Sequence, residues 1–337
     1  MIESSKKKGK RKPLDSSEEM LVSEQKIRPS SLNEIIGRKL EKETLQMMID
    51  SAKRRKEVID HILFYGPPGL GKTTFAMAIA NEIGASIKIT SGPAIERQGD
   101  LAAVLTGLKS NAVLFIDEIH RLSKVVEEIL YPAMEDRVLD IIMGKGPSAK
   151  TIRLTLEPFT LIGATTQIGR ISSPMRDRFG LIQRLDFFSQ GDLVSILRRA
   201  GKLWDIKIEE DALKMLADCS RGTARVGLRL LRRTRDYADN KRVGSVTEDI
   251  VLKTIKMLGV DTQGLEEIDR TILKTLLNNF SGGPIGLSTL AASISEDEVT
   301  LADVYEPYLM KCGYMKRTSR GRVLTQKGLK YLESIDG

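Results

Sequence analysis

Cysteine is nearly absent from this 337-residue chain: only Cys219 and Cys312 occur, far apart and in no metal-ligand spacing. A disulfide framework and a zinc knuckle are therefore excluded, and two reduced thiols in a reducing cytoplasm are expected. Aromatic residues are also scarce, at 5% of the sequence. That scarcity argues against a protein that grips single-stranded nucleic acid by stacking bases on rings. Although 41% of the residues are hydrophobic, no apolar run has the length needed to cross a bilayer. The basic cluster Lys6-Lys7-Lys8-Gly9-Lys10-Arg11-Lys12 leads into polar and acidic residues instead of the apolar core of a secretory signal. A soluble cytoplasmic protein is expected, with a disordered basic tail over residues 1–22. The formal charge of +8 suggests a polyanionic partner, although part of that excess belongs to the tail.

What the chain does contain is Gly66-Pro67-Pro68-Gly69-Leu70-Gly71-Lys72-Thr73-Thr74. This fits GxxxxGK[ST], a glycine-rich turn whose backbone N–H groups cradle phosphates while the lysine reaches the β and γ oxygens and the hydroxyl of Thr73 faces Mg²⁺. A strand-like run over 61–65 precedes the loop, and a helix-like segment over 74–83, closed by Gly84, follows it. Strand, loop and helix in that order are what phosphate binding at a helix N-terminus requires. A second strand-like run, 112–116, ends in Asp117-Glu118. Hydrolysis at such a loop needs a metal holder and a group that orients or deprotonates water, tasks that suit Asp117 and Glu118 respectively.

Strand and helix patterns alternate over residues 23–187, with strands expected at 62–65, 86–90, 112–116, 159–164 and 181–187. The expected fold class is α/β, with a parallel sheet whose ligands collect at the carboxyl ends of its strands. Gly66, Asp117, Thr165 and Thr166 follow those ends. The alternation breaks at 139–143 and 151–156, where period-two hydrophobicity flanks a Gly/Pro turn at 144–148 and indicates a β-hairpin. Two readings of it stand: a hairpin packed on the core, or an arm whose apolar face docks a partner. Residues 188–260 are helical and basic, which suits either a solvated face or a lid over phosphates. In them Arg225 falls in the first turn of a helix opened by Ser220-Arg221-Gly222-Thr223. Arg178 follows a turn and suits a guanidinium finger offered to a neighbouring subunit. Residues 261–337 show helices at 268–278, 287–294 and 304–312, then two short strands about a tight turn, the outline of a winged helix. Between Lys311 and Lys330 there are seven Lys/Arg and no acid, a composition suited to duplex phosphates and equally to a plain solvated hairpin.

These motifs, in this order, resemble the AAA+ ATPases, and among them the RuvB family of Holliday-junction branch-migration motors. The resemblance runs over about residues 25–332 and is carried by GPPGLGKTT, FIDEIHRL, YPAMED, FTLIGATT, SPMRDRFG, GTARVGLRLLRR and KRTSRGR. It implies a large ATPase domain over 23–187, a helical lid over 188–260 and a winged-helix head over 261–337. It further implies ATP and Mg²⁺ at Gly69, Gly71, Lys72, Thr73, Thr74 and Asp117, with Glu118 positioning water, Thr166 as sensor 1, Arg225 as sensor 2 and Arg178 as the finger acting in trans. Ile27 and Arg28 match the segment that packs on adenine, with Phe188 and Glu135-Asp136-Arg137 also near nucleotide. Arg317, Arg320 and Arg322 fall in the wing that grips the DNA backbone. Implied partners are four-way junction DNA, RuvA docked on the 139–156 hairpin, RuvC in the same complex, and further copies of the chain in a hexameric ring. Gln167, Ala224 and Phe188 depart from the usual arginine, proline and tyrosine, and none of these changes removes a group that hydrolysis needs. A clamp-loader-like switch and an ATP-gated DNA-binding module remain the rival readings.

Overall fold

The computed structural model describes residues 27–143 and 150–336. The tail expected over 1–22 and the turn expected at 144–148 lie outside the described residues. The first part of the chain builds the strands β1 (Ile62–Tyr65), β2 (Ile87–Ser91), β3 (Ala112–Asp117), β4 (Val138–Met143), β5 (Lys150–Thr155), β6 (Phe159–Thr165) and β7 (Leu181–Arg184). Between and before them run helices α1 (Lys39–Arg55), α2 (Lys72–Glu82), α3 (Gln98–Thr106), α4 (Lys124–Glu135) and α5 (Ser173–Asp177). Five strands form one parallel sheet in the order β2-β3-β6-β1-β7. Their near-continuous apolar sequences follow from burial on both faces. Leu63, Leu114, Ile116 and Leu161 point into one core, with Leu101, Val126 and Leu130 from the helices, while Phe64, Val113, Phe115 and Ile162 point into another around Phe75 and Ile79.

Strand β6 lies between β1 and β3, and this placement decides where the chemistry sits. Tyr65 is level with Thr165, and Ile116 with Gly163, so Gly66, Thr166 and Asp117 leave the sheet along one edge. At the opposite, amino edge His61 braces three elements. Its Nδ1 accepts from Leu161 N at 2.9 Å and its Nε2 lies 3.2 Å from Met134 O, which assigns the proton to Nε2. Strand β7 stops three residues short of the expected 187. Leu185 N still donates to Tyr65 O at 2.8 Å, but Phe188 N donates to Gly222 O at 2.9 Å, so the chain has already turned into the helical region.

The hairpin is present, with β4 and β5 antiparallel and Val138 paired with Thr155. Leu139 and Leu156 at its base are buried in the sheet core, whereas Ile152 farther out is 43% exposed. Asp140 and Arg153, directly opposed, form a cross-strand ion pair at 2.8 Å. The base of the hairpin is therefore packed on the sheet core, and Ile152 leaves apolar surface exposed farther out.

Four helices follow, α6 (Gln190–Leu203), α7 (Glu210–Asp218), α8 (Ala224–Asn240) and α9 (Glu248–Met257). Their starts are chemically marked: Ser189 and Asp192 form a capping box on α6, and Thr223 and Thr247 accept from Val226 N and Ile250 N. Leu193, Leu197, Leu216, Leu230 and Val251 make a separate core there. The last part contains α10 (Glu267–Phe280), α11 (Leu287–Ser293), a π turn at Leu301–Tyr305 running into α12 (Glu306–Cys312), strands β8 (Met315–Thr318) and β9 (Gly321–Leu324), and α13 (Gln326–Asp336). Helix α12 thus begins two residues later than expected, because 301–305 adopts the wider turn. A buried ion pair, Arg221 with Asp269, joins the helical region to this last part, and the Arg221 guanidinium lies 4.6 Å from the Tyr308 ring centroid. Removing one member would leave a buried charge unpaired, at a cost of about 3–5 kcal/mol.

The sheet core supplies a direct check. Phe64 is fully buried and stacks on Phe75 at 5.4 Å. Phe64→Ala is expected to destabilise the sheet region by about 3–5 kcal/mol, read as a shifted midpoint in denaturant unfolding.

Candidate nucleotide site

The loop at 66–71 is shaped by what its glycines allow. Gly66 has φ 140°, and a Cβ there would lie 2.2 Å from Leu185 O, so only glycine lets the chain turn beneath β7. Gly69 has φ 80°, and a Cβ there would meet the Cβ of Arg225 at 3.0 Å. Arg225, in the first turn of α8, and the phosphate loop are in this way held in contact. Lys72 opens α2 and is only 7% exposed, its Nζ donating to Gly66 O at 2.7 Å and Pro67 O at 3.0 Å. Burial pulls its pKa down to about 8, with Arg225 pulling the same way and Glu118 and Asp117 opposing. Thr73 and Thr74 follow, half-buried at the start of the helix. A buried ammonium at a helix N-terminus under a cradle that excludes side chains fits a polyphosphate, and the Asp117 carboxylate with the Thr73 hydroxyl supplies hard oxygen donors suited to its magnesium.

Asp117 ends β3, and its Oδ1 accepts from Glu118 N at 3.0 Å. Glu118 adopts a left-handed backbone, φ 49° and ψ 46°. Such a conformation costs a non-glycine residue free energy and concentrates at functional positions, and here it turns the carboxylate toward β6. Thr166 Oγ1 donates to Glu118 Oε2 at 3.3 Å. His120 Nδ1 lies 3.3 Å from the same oxygen and 2.9 Å from Thr165 Oγ1. Burial keeps the His120 imidazole below its usual pKa despite the attraction of Glu118. His120 escaped the sequence reading although it lies within FIDEIHRL, because only the fold brings it against Thr165.

Arg178 is elsewhere. Two residues beyond it, Gly180 packs against Asp60, and Leu181 N donates to His61 O at 3.3 Å, both at the amino edge of β1. Six residues of extended chain, about 20 Å, separate that edge from Gly66. Arg178 donates to Glu135 Oε2 at 3.0 Å and to Pro174 O at 2.7 Å, and its guanidinium lies 4.4 Å from the Tyr131 ring centroid. Asp136 and Arg137 are exposed beside Glu135. The contacts of Arg178 thus run to α4 and α5.

Ile27 is buried in the helical core, and Phe188 packs against both that core and the sheet core. Arg28 Nη1 reaches Met77 Sδ on α2 at 3.6 Å, which brings the 27–28 segment to the flank of the phosphate-loop helix. Arg38, not anticipated from sequence, stacks over Phe188 at 4.4 Å and donates to Asp186 O.

In the C-terminal hairpin the three arginines differ. Arg322 is 12% exposed, and both it and Arg317 donate to the carboxylate of Glu306, which is fully buried. Arg317 keeps half its side chain in solvent, and Arg320 is exposed at the turn. Arg322 is thus turned inward, whereas Arg320 and Arg317 present charge outward. Glu306 offered no sequence signal, since a fully buried carboxylate is made tolerable only by the two guanidiniums that the hairpin brings to it.

Three family models match the chain in succession: the Holliday junction DNA helicase RuvB P-loop domain over 27–185, the RuvB AAA lid domain over 188–261 and the RuvB C-terminal winged helix domain over 262–333. The chain belongs to the RuvB family. It is 51% identical over 310 residues to the Holliday junction branch migration complex subunit RuvB of Fusobacterium nucleatum, covering 92% of this chain and 93% of that one. The protein of the same name from Thermotoga petrophila is 52% identical over 307 residues, covering 91% and 92%. Among solved structures, the Thermotoga maritima RuvB Holliday junction branch migration motor superposes with a TM-score of 0.83 at 48% identity, covering 91% of this chain and 98% of that one. A mutant of the same protein gives 0.86 at 48%, covering 92% and 99%. Within this RuvB-family chain no helix of the described residues is long and apolar enough to cross a membrane.

Lys72 makes the site testable by pH. A lysine titrating near 8 must be charged to hold phosphate, so nucleotide binding takes up a proton above that pH and affinity falls as pH rises through it. Calorimetry at about pH 9 in buffers of different ionisation enthalpy is expected to show an uptake approaching one proton. Lys72→Arg, whose side chain stays charged, should show none.

Proposed function

We propose that this protein is an ATP-driven motor that moves duplex DNA through Holliday junctions in recombination and repair, as a homo-hexameric ring in the cytoplasm. The carrying observation is the division of the chemistry between two edges of one sheet: Lys72, Asp117, Glu118 and Thr166 at the carboxyl edge, Arg178 at the amino edge. A sheet arranged in this way keeps Arg178 from its own phosphate loop, so the finger arginine comes from a neighbour and assembly becomes a condition of turnover. In this reading 23–187 is the ATPase domain, 188–260 the lid and 261–337 the DNA-binding head. Gly69, Gly71, Lys72, Thr73 and Thr74 hold the phosphates, Thr73 and Asp117 would hold the magnesium, and Ile27, Arg28 and Phe188 flank the adenine. A magnesium ion held by Thr73 and Asp117 would supply charge neutralisation to the phosphates. Glu118, kept in place by Thr166 and His120, orients water, and Arg225 reaches phosphate in cis. Glu135, Asp136 and Arg137 belong with Arg178 on the face offered to the adjoining subunit.

Arg317 and Arg320 meet the duplex backbone, with Arg322 shaping the hairpin from within. The exposed outer part of the 139–156 hairpin docks RuvA, and RuvC joins the same complex. Family membership along the whole described chain, and the names borne by its relatives, support the motor over a switch or a simple DNA-binding module. Migration of a synthetic four-way junction with RuvA present is the deciding assay, and hydrolysis without migration would overturn the motor.

Two variants follow from the geometry. Arg178→Ala is expected to assemble and bind ATP yet lose roughly 10³-fold or more in hydrolysis, measured as steady-state phosphate release. Arg320→Ala should weaken duplex binding for any sequence and lower the salt slope by about one. Arg322→Ala should instead lower the melting temperature, because Glu306 loses a buried partner.

A further inference from the structure

Gln167 stands between the nucleotide edge and the C-terminal region. Its backbone N–H donates to Thr165 Oγ1 at 2.9 Å, and its side-chain Nε2 donates to Asp303 Oδ2, 136 residues farther along the chain. Asp303 is in the π turn Leu301–Tyr305, and turns of this kind recur at functional positions because they push a side chain out of helical register. Three residues on is Glu306, whose buried carboxylate holds Arg317 and Arg322 of the DNA-facing hairpin. One short stretch of the head thus touches the hydrolytic edge with one carboxylate and the wing with the next. On the nucleotide side, Thr165 Oγ1 is 2.9 Å from His120 Nδ1, which is 3.3 Å from Glu118 Oε2.

We propose that Asp303 is a positioning residue for ATP hydrolysis: through Gln167, Thr165 and His120 it sets the carboxylate of Glu118, so that the head's grip on duplex DNA is felt at the hydrolytic centre. The inference rests on the reading of Glu118 as the residue that orients water. A displacement of the head that pulls Asp303 away releases the Gln167 side chain. The Gln167 N–H then loses its fixed direction toward Thr165, and Thr165 ceases to hold His120 against Glu118. No covalent step is involved, since the link works by hydrogen bonds that form or break as the head moves.

The test uses the full-length protein with saturating duplex DNA. Asp303→Ala is expected to lower kcat for ATP roughly tenfold or more, the effect of losing a hydrogen bond to a charged acceptor, with KM and duplex affinity changed by less than about twofold. Asp303→Asn, whose amide oxygen still accepts from Gln167, should retain most of kcat. Gln167→Glu, which sets like charges together, should lose kcat, and the double variant Gln167→Glu/Asp303→Lys should recover it. An unchanged kcat in Asp303→Ala, or a loss the double variant does not repair, overturns the proposal. Glu118→Gln run alongside separates the two readings: if it is inactive while Asp303→Ala is normal, the link alone falls, and if it turns over normally, the assignment of Glu118 falls with it.

Discussion

Parallel pairing of β6 between β1 and β3 is the constraint on which the molecule depends. Parallel strands in register finish together, so the last residues of three separate sequence segments arrive at one edge without any contact between their side chains having to bring them there. The phosphate loop, the carboxylate pair and the threonine pair inherit their mutual distances from hydrogen-bonded strands about 4.8 Å apart. The double burial of the sheet gives those distances rigidity. Two apolar cores press on it from opposite faces, and an active site built on such an element moves little while everything attached to its edge can move a great deal.

The outer regions are attached by chemically distinct contacts. The helical region touches the phosphate loop where Arg225 meets Gly69, and it holds the head through the buried Arg221–Asp269 pair. The head returns to the sheet edge through Asp303. The three regions therefore close a circuit in which nucleotide edge, lid and head each contact the other two. A change at any one contact shifts the balance at the remaining ones, which is the physical basis for tying hydrolysis to motion of a bound duplex.

Local chemistry made much of this legible in the sequence. A phosphate cradle needs its glycines, lysine and hydroxyl within nine contiguous residues, and a buried strand ending in Asp117-Glu118 announces itself by its apolar run. The strands at 62–65, 112–116 and 159–164 were readable for the same reason. Pairings between distant segments were not. Asp303 meets Gln167 across 136 residues, and Glu306 looks like an ordinary helix-start acid until the hairpin folds over it. Arg322 reads as one more wing cation, and only its burial against Glu306 separates it from Arg320. The early end of β7 has a similar origin: Leu185 and Phe187 still pack on the sheet core, but the backbone of Phe188 is taken by Gly222 of the helical region.

His61 has a consequence for behaviour in acid. Its Nδ1 is committed as an acceptor to the backbone of β6, and burial holds the ring's pKa below the usual histidine value, against the influence of Met134 and Asp60. Below pH 6.5 the unfolded chain binds a proton at this residue more readily than the folded one. The stability His61 lends is complete above that pH and drains away as the medium is acidified through the folded value. Protonated, the ring can no longer accept from Leu161, so acid weakens the brace that His61 makes between β1 and β6.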